Sequence, residues 1–458
     1  MTTDHIAALA LAIAAGSASA QFNPNAGQWG KDNPADLRVM SWNIQDSVVS
    51  TTDDKSQAAF GRWDAIARVL ADLQPDILII QEAGDRSGNG SGGGVDSVAQ
   101  LERTFEQLIE GGLDEFDGNT PILRYVQLYA PTYDLPFKFA STSTDNFNRN
   151  VILSRFPFAD LNGDCQAEDN DIIIFGDGGL GSGGIRGFAT AEIDLPDDTY
   201  AHDVVIGNSH LKAGGSSSDA SQRQSAAENI AAYIRNFFDG RLTDTPDPLS
   251  VIPGTNPQRV LINGTPVIWG GDWNEDFRSN GFPGAPETMI QGQSAGGTNG
   301  TDRDGSDATF DNATQFFSGN LGTRGGSKLD YIAYQDSQIL GVRNAFVFNS
   351  SDSGINVANL PPAVAGFSPI GTITSSAAAD HYPVVLDFIL ETVQPGQKSC
   401  DRVDTAAPFG VLDLLDIDAF IQNFTTQCSY GDLAAPFGIY DLSDIDVFID
   451  RFLTGCPN

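Results

Sequence analysis

Asp272 and Asn274 stand two residues apart behind two glycines, in the stretch Val267-Ile-Trp-Gly-Gly-Asp-Trp-Asn-Glu-Asp276. Residues i and i+2 of an extended segment point to the same side, so a strand ending here presents a carboxylate and an amide together. The glycines let backbone or ligand come close. A carboxylate beside an amide donor suits in-line attack on a phosphodiester: one group takes a proton from water, and the other steadies the developing charge. A surface turn rich in Gly, Asp and Asn reads almost the same. The strand-end motifs on either side of the stretch decide between the two.

Those motifs need elements to hold them. Leu37-Arg-Val-Met-Ser-Trp-Asn-Ile44 predicts a strand with Asn43 at its polar tip. Apolar residues at helical spacing predict a helix over 57–73, closed by Gln74-Pro75. Asp76–Ile80 reads as a buried strand that finishes in Gln81-Glu82, a usual place for a metal-ligating carboxylate and also the look of a solvated strand end. Residues 84–95 are a Gly/Ser-rich loop and 97–110 read as helix. Arg149 and Asn150 head a strand over 148–157. Residues 185–195 and 202–210 predict a hairpin whose second strand ends in Asn208 and His210, with a helix after it from Ser221 to Phe238. Residues 291–308 are a polar loop. Asp330 lies near the start of a strand over Lys328–Ala333, and Asp380-His381 precede a last strand that Pro383 opens.

Read together, the pieces SWNIQ (41–45), IIQE (79–82), VILSRFP (151–157), NSHLKA (208–213), GGDWN (270–274), KLDYI (328–332) and DHYPV (380–384) resemble the endonuclease/exonuclease/phosphatase superfamily. This is the group of DNase I, abasic-site endonucleases, neutral sphingomyelinases and inositol polyphosphate phosphatases. The resemblance covers about residues 37–391. It implies a DNase I-like four-layer α/β sandwich: two mixed, mostly antiparallel sheets packed together, helices outside, and the site at the strand ends. It implies that Glu82 holds Mg²⁺ or Mn²⁺ with help from Asn43 and Asp380; oxygen ligands suit such hard cations. Asp272 would orient or deprotonate water, and Asn274 would bind a phosphoryl oxygen. His381 would be oriented by Asp330, and His210 would be the second histidine on the phosphate or leaving oxygen. Asn208, Arg149 and Asn150 are the candidates for substrate phosphate, with Arg186 beside them.

The chain has 458 residues, 25 Lys+Arg against 60 Asp+Glu, and a net charge of −35. That length allows one large domain and a small one. The acidity counts against a tight, sequence-specific DNA binder with a broad basic footprint, but not against a turnover enzyme that uses a divalent metal. Residues 6–16 are a short apolar run followed by Ala18-Ser19-Ala20, the pattern of a signal peptide over 1–20. No later stretch is long enough to span a bilayer. Export to a secreted, cell-surface or periplasmic location follows, and four cysteines fit an oxidising compartment.

Two calcium readings stand beside the main site. Asp160, Asn162 and Asp164 open a calcium-loop pattern that runs to Asp171, with Cys165 where the template has Gly; an acidic surface insertion is the alternative. The tail repeats itself: Asp404–Asp413 recurs 28 residues later as Asp432–Asp441, each copy followed by a short amphipathic helix. Residues 398–458 thus form a small α-helical two-repeat unit. It resembles duplicated dockerin-like modules, on G-x-x-D-x-x-D-I at Gly410, Asp413, Asp416 and at Gly438, Asp441, Asp444. The resemblance implies Ca²⁺ at these aspartates and a surface or scaffold partner. A disulfide-stapled cap without a ligand is the alternative.

Three functions are weighed. The first is a secreted metal-dependent phosphodiester hydrolase acting on DNA or RNA. The second is a phospholipid or phosphomonoester hydrolase, toward which the net negative charge leans. The third, a non-catalytic binding protein, requires the polar set to be decayed, and every member of it is present.

Overall fold

The computed structural model describes residues 21–45, 62–84, 96–144 apart from 117, 148–161 apart from 160, 169–172 and 187–240. It further describes 261–393 apart from 262–263, 282–283, 293–295 and 369, then 402–406, 411–434 and 439–455. The expected signal segment, Arg186, Asp160, Asn162 and Asp164 lie outside the described residues. None of the described helices is long and apolar enough to cross a membrane.

The main elements are β1 (Leu37–Asn43), α1 (Arg62–Leu73), β2 (Ile77–Ala83), α2 (Val98–Glu110), β3 (Phe137–Ala140), β4 (Arg149–Ser154), β5 (Asp169–Ile172), β6 (Phe188–Ile193) and β7 (Val204–His210). After them come α3 (Ser217–Tyr233), β8 (Val267–Asp272), α4 (Ala285–Gln291), β9 (Thr309–Phe310), β10 (Thr314–Gln315), β11 (Asp330–Tyr334), β12 (Gly341–Val347), β13 (Val384–Ile389), α5 (Leu414–Thr426) and α6 (Leu442–Thr454). One sheet runs β9-β11-β8-β7-β6-β5, the other β10-β12-β13-β1-β2-β4-β3. Both are mixed: β1 pairs parallel with β2 and β7 parallel with β8, while the flanking pairs β2–β4, β13–β1, β6–β7 and β8–β11 are antiparallel. This is the α/β sandwich that the motifs imply.

Strand alternation builds the layers. Leu37 and Val39 of β1 face the other sheet with Ile77 and Ile79 of β2, Ile206 of β7, Ile268 of β8, Ile332 of β11 and Leu386 of β13. The alternate residues Met40, Trp42, Leu78 and Ile80 face outward onto α1, α2 and the short segments around Val364. Val205, Val267, Trp269 and Tyr331 face outward onto α3, through Ala226, Ile230 and Tyr233. Every one of these side chains is buried. Burial on that scale, at roughly 25 cal/mol per Å² of apolar surface, is what holds the two sheets face to face.

Local signals set the helix ends. Ser97 caps α2 and exchanges bonds with Gln100 in a capping box. Ser216 and Asp219 do the same for α3, which therefore starts four residues before the expected Ser221 and closes in a π-helical turn over Ile234–Phe238. Strands β3 and β12 carry little sequence signal and were not expected. Asp169–Ile172, the end of the calcium-loop pattern, is a strand paired with β6.

The tail forms its own small core. Phe420 of α5 stacks on Phe448 of α6, centroids 4.0 Å apart, and Val403 and Leu433 complete the buried cluster. The two phenylalanines occupy equivalent places in the 28-residue repeat, so each unit completes the other. Cys428 is disulfide-bonded, to a partner outside the described residues. Arg402 pairs with Asp194 and Arg451 with Asp197, on the segment that follows β6.

Candidate active site

The alternation that puts Val39, Ile206, Ile268 and Ile332 between the sheets also decides what stands at the end of that layer. Asn43 shares a face with Val39, Asn208 and His210 with Ile206, Asp272 with Ile268, and Asp330 with Ile332. The apolar core stops at one polar layer. Gln81 Nε2 donates to Asn208 Oδ1 at 2.9 Å, and Asn208 Nδ2 donates to the carbonyls of Ile80 and Val151 at 2.8 and 3.0 Å. This amide stitch joins the two sheets across their interface. Beyond it lie the reactive groups.

Asp272 is the centre of them. Its Oδ2 accepts from Asn43 Nδ2 at 3.0 Å and lies 3.6 Å from His210 Nε2 and 3.7 Å from His381 Nε2. Its Oδ1 accepts the backbone N–H of Asn274 at 2.8 Å. Asn43 Nδ2 also donates to Glu82 Oε1 at 3.0 Å, and Glu82 Oε1 lies 3.7 Å from His210 Nε2. Asn274 Nδ2 donates to the carbonyl of Leu211 at 3.1 Å and meets His210 Nε2 at the same distance. His381 Nδ1 is 2.8 Å from Asp330 Oδ2.

The backbone is shaped to bring these atoms together. Glu82 and Asn274 both have positive φ, 56° and 54°, in the left-handed region that non-glycine residues seldom adopt. At Glu82 this coincides with a register shift between β2 and β4 from Ile80 to Ala83, a bulge that re-aims the carboxylate. Gly271, at φ 141°, passes so close to β7 that a Cβ there would sit 1.7 Å from the Ser209 carbonyl oxygen. Trp273 is buried and turns outward. It donates from Nε1 to Ser209 Oγ at 3.1 Å and stacks on Tyr331 at 4.7 Å, which anchors the motif from behind. In the other sheet, Trp42 of β1 donates from Nε1 to the His381 carbonyl at 3.1 Å.

Burial and charge tune the pair at the centre. Burial pushes the Asp272 carboxyl up to about 7, with the Asp330 charge adding to it and the His381 charge opposing it. Burial works against a charged His381, yet the Asp330 and Asp272 carboxylates outweigh it and raise the imidazole to about 10. His381 is therefore an imidazolium at neutral pH, held by Asp330 and facing Asp272.

Other expected residues stand elsewhere. Arg149 donates from Nε to the Asp96 carbonyl and from Nη1 to the carbonyls of Ser141 and Thr142, so its guanidinium ties loops together. Asn208 is the buried stitch between sheets, and Asn150 is fully buried with Nδ2 donating to the Gly187 carbonyl. These three were expected at a substrate phosphate; in this structure Arg149 Nε and Nη1 and the Asn150 and Asn208 amides donate within the protein. Asp380 lies at the rim, its Oδ1 3.9 Å from His381 Nε2 and its Oδ2 2.5 Å from Arg324. In the tail, Asp413 and Asp441 cap α5 and α6, and the buried Asp416 and Asp444 accept backbone N–H groups at 2.7 to 2.9 Å. Two residues at the site are given no role by the motifs. Glu275, which accepts from Arg223 at 2.7 Å, braces the loop after Asn274; Arg324 sits in a glycine-rich turn.

Among the described residues, two sets of His, Asp and Glu side chains bring donor atoms within 4.8 Å of one another: Glu82, His210 and Asp272, and then Asp272, Asp330 and His381. Hard oxygen donors predominate, and Glu82 is the member that reaches solvent, with a quarter of its side chain exposed. The donor set fits a divalent cation at Glu82.

A model of the Endonuclease/Exonuclease/phosphatase family matches residues 40–353. Among solved structures, an endonuclease/exonuclease/phosphatase from Beutenbergia cavernae is similar at 17% identity, over 78% of this chain and 72% of that one, with a TM-score of 0.41. A mannosyl-6-phosphatase from Bacteroides thetaiotaomicron is similar at 14% identity, over 77% of this chain and all of that one, with a TM-score of 0.41. Sphingomyelinase C from Streptomyces griseocarneus is similar at 14%, over 77% and 99%, with a TM-score of 0.38. No curated protein matches the sequence.

Proposed function

The chain belongs to the Endonuclease/Exonuclease/phosphatase family of metal-dependent phosphoester hydrolases, and we propose that it is a secreted phosphodiesterase that hydrolyses DNA or RNA by in-line attack of an activated water. The observation that carries this reading is the position of Asp272, whose one oxygen lies within 3.7 Å of both His210 and His381 and 3.0 Å from the Asn43 amide that also holds Glu82.

In this reading Glu82, with Asn43 and Asp380, would hold Mg²⁺ or Mn²⁺. When bound, such a cation neutralises charge on the phosphoryl oxygens and on the leaving oxygen. The remaining work falls to the chain. Asp272, pushed up to about 7, is a base matched to neutral pH and takes the proton of the attacking water. The His381 imidazolium presents its Nε2–H to the oxygens on which charge grows, and Asn274, whose amide donates to the Leu211 carbonyl and meets His210 Nε2, holds the second histidine beside them. Asp330 fixes the His381 ring and its charge. His210 stands on the Glu82 side of Asp272, placed to donate to the leaving oxygen once protonated.

The acidity of the chain, net −35, supports a second reading in the same chemistry: a phospholipid or phosphomonoester in place of a polyanion. Hydrolysis of plasmid DNA, RNA, sphingomyelin and a sugar phosphate by the purified protein separates them. Nicking of plasmid or loss of RNA supports the first, and cleavage of lipid or monoester alone supports the second. The proposal takes residues 1–20 as the export signal, 37–391 as the catalytic domain and 398–458 as a dockerin-like module that holds the enzyme to a surface or scaffold. The module's separate core is what supports this last part.

A further inference from the structure

We propose that Arg324 is a substrate-binding residue, whose guanidinium receives a phosphate oxygen at the mouth of the site. The inference rests on the phosphoesterase reading above.

The turn that carries Arg324 is fixed at its base and open at its tip. Thr323 is fully buried, and its hydroxyl accepts the backbone N–H groups of Leu329 and Asp330 at 3.0 and 3.1 Å. Its carbonyl accepts the N–H of Tyr382 at 2.7 Å. Those bonds tie the turn to β11, which carries Asp330, and to the segment that carries Asp380 and His381. Arg324 and Ser327 pair across the turn. From the third side, Arg278 donates to the Gly326 carbonyl at 2.8 Å and pairs with Asp276, which also accepts the N–H of Lys328 at 3.1 Å. Asp276 is the last residue of the stretch that contains Asp272 and Asn274. Three segments of the site thus hold one turn, while a Cβ added at Gly325 or Gly326, at its tip, would meet nothing within 4 Å.

The head of Arg324 is half exposed and lies 2.5 Å from Asp380 Oδ2, beside His381. An exposed ion pair of this kind adds little to stability. The rigid mounting therefore has a better account in recognition. The site is lined by Glu82, Asp272, Asp330 and Asp380, in a chain of net charge −35, so an anionic substrate needs a cationic contact at the mouth. A guanidinium offers a planar fork suited to phosphate. With Asp380 given to the cation, that fork is released toward the substrate.

The test is steady-state kinetics of the purified protein and its Arg324→Ala and Arg324→Lys variants, on bis(p-nitrophenyl) phosphate and on a single-stranded oligonucleotide. Binding of a labelled oligonucleotide in an Asp272→Asn background supplies a readout without turnover. Loss of a charge-assisted contact predicts a fall in kcat/KM of about 10- to 100-fold for Arg324→Ala, partial recovery with Lys, and a matching rise in Kd. A fall on both substrates assigns the contact to the scissile phosphate, and a fall on the oligonucleotide alone assigns it to a neighbouring one. Unchanged kcat/KM overturns the proposal, and so does a loss that saturating Mg²⁺ abolishes, which would make Arg324 a support for Asp380. If the unsubstituted protein hydrolyses neither substrate, the phosphodiesterase reading on which the proposal rests has itself failed.

Discussion

Asp330 opens β11 in one sheet and His381 lies on the segment that leads into β13 of the other, and their side chains meet at 2.8 Å with Asp272 on the other side of the imidazole at 3.7 Å. The carboxylate behind the ring fixes its orientation and its charge, so the nitrogen facing the site carries a proton. Asp330→Asn removes that charge. His381 then titrates well below about 10, a change that histidine NMR resonances report directly. Turnover at pH 8 should fall by on the order of 10- to 100-fold. The pair also stabilises the fold: because the folded pKa is raised, that contribution is complete below about 6.5 and is lost as pH rises through about 10. Thermal melts in EDTA should show the Asp330→Asn penalty shrinking at alkaline pH; a constant penalty would contradict the linkage.

Asp272 carries the opposite consequence. Its carboxyl is raised from an ordinary value near 3.8 to about 7 by burial, so the ionised form is disfavoured in the fold. Stability therefore falls as pH rises from about 4 to 7, and metal-free protein at pH 8 bears the whole cost. Asp272→Asn should raise the melting temperature in EDTA at pH 8, with the gain fading toward pH 4. A lower melting temperature at pH 8 would show that the carboxylate is not strained in the apo site.

Asn208 separates a structural role from a substrate contact. Its amide bonds Gln81, Ile80 and Val151 within the buried interface between the sheets. Asn208→Ala should lower stability by roughly 1–3 kcal/mol, the usual result of leaving buried partners unsatisfied. KM should stay within about twofold at temperatures where the variant is folded. A large rise in KM without loss of stability would return Asn208 to the substrate.

Gly271 has no room for a side chain. A Cβ would meet the Ser209 carbonyl oxygen at 1.7 Å, and the φ of 141° is itself unsuited to other residues. Gly271→Ala should destabilise by on the order of 3 kcal/mol, because β7 and β8 must separate where they carry His210 and Asp272. Soluble, active Gly271→Ala protein would show that the strands can part without harm.

Much of this was legible in the sequence, for a physical reason. Asn43, Glu82, His210, Asp272 and His381 each end or border an apolar run, and a period of two or a strand end suffices to place them together. The glycines before Asp272 let backbone or ligand come close, and the Ser209 carbonyl is what approaches. Asn208 was misplaced because it shares a face with His210 yet lies one pleat deeper, and depth along a strand is invisible without its partners. Arg149 was misplaced because a charged residue at a strand start says nothing of the carbonyls that a folded loop brings to it. Arg324 carried no signal, since its position comes from a turn held by Thr323, Arg278 and Asp276, residues far from one another in type and number. The bulge at Glu82 was equally silent: it is a property of how β2 pairs with β4.

The most direct test of the account is hydrolysis by the purified protein, Asp272→Asn and Glu82→Gln, each with Mg²⁺, Mn²⁺ or EDTA, on whichever substrate the unsubstituted protein cleaves. The account predicts metal-dependent turnover that EDTA abolishes. It predicts a fall of at least about 100-fold for Asp272→Asn at saturating metal, the scale set by loss of a general base. For Glu82→Gln it predicts a raised metal requirement. Turnover that survives EDTA, or an Asp272→Asn protein as active as its parent, would contradict it.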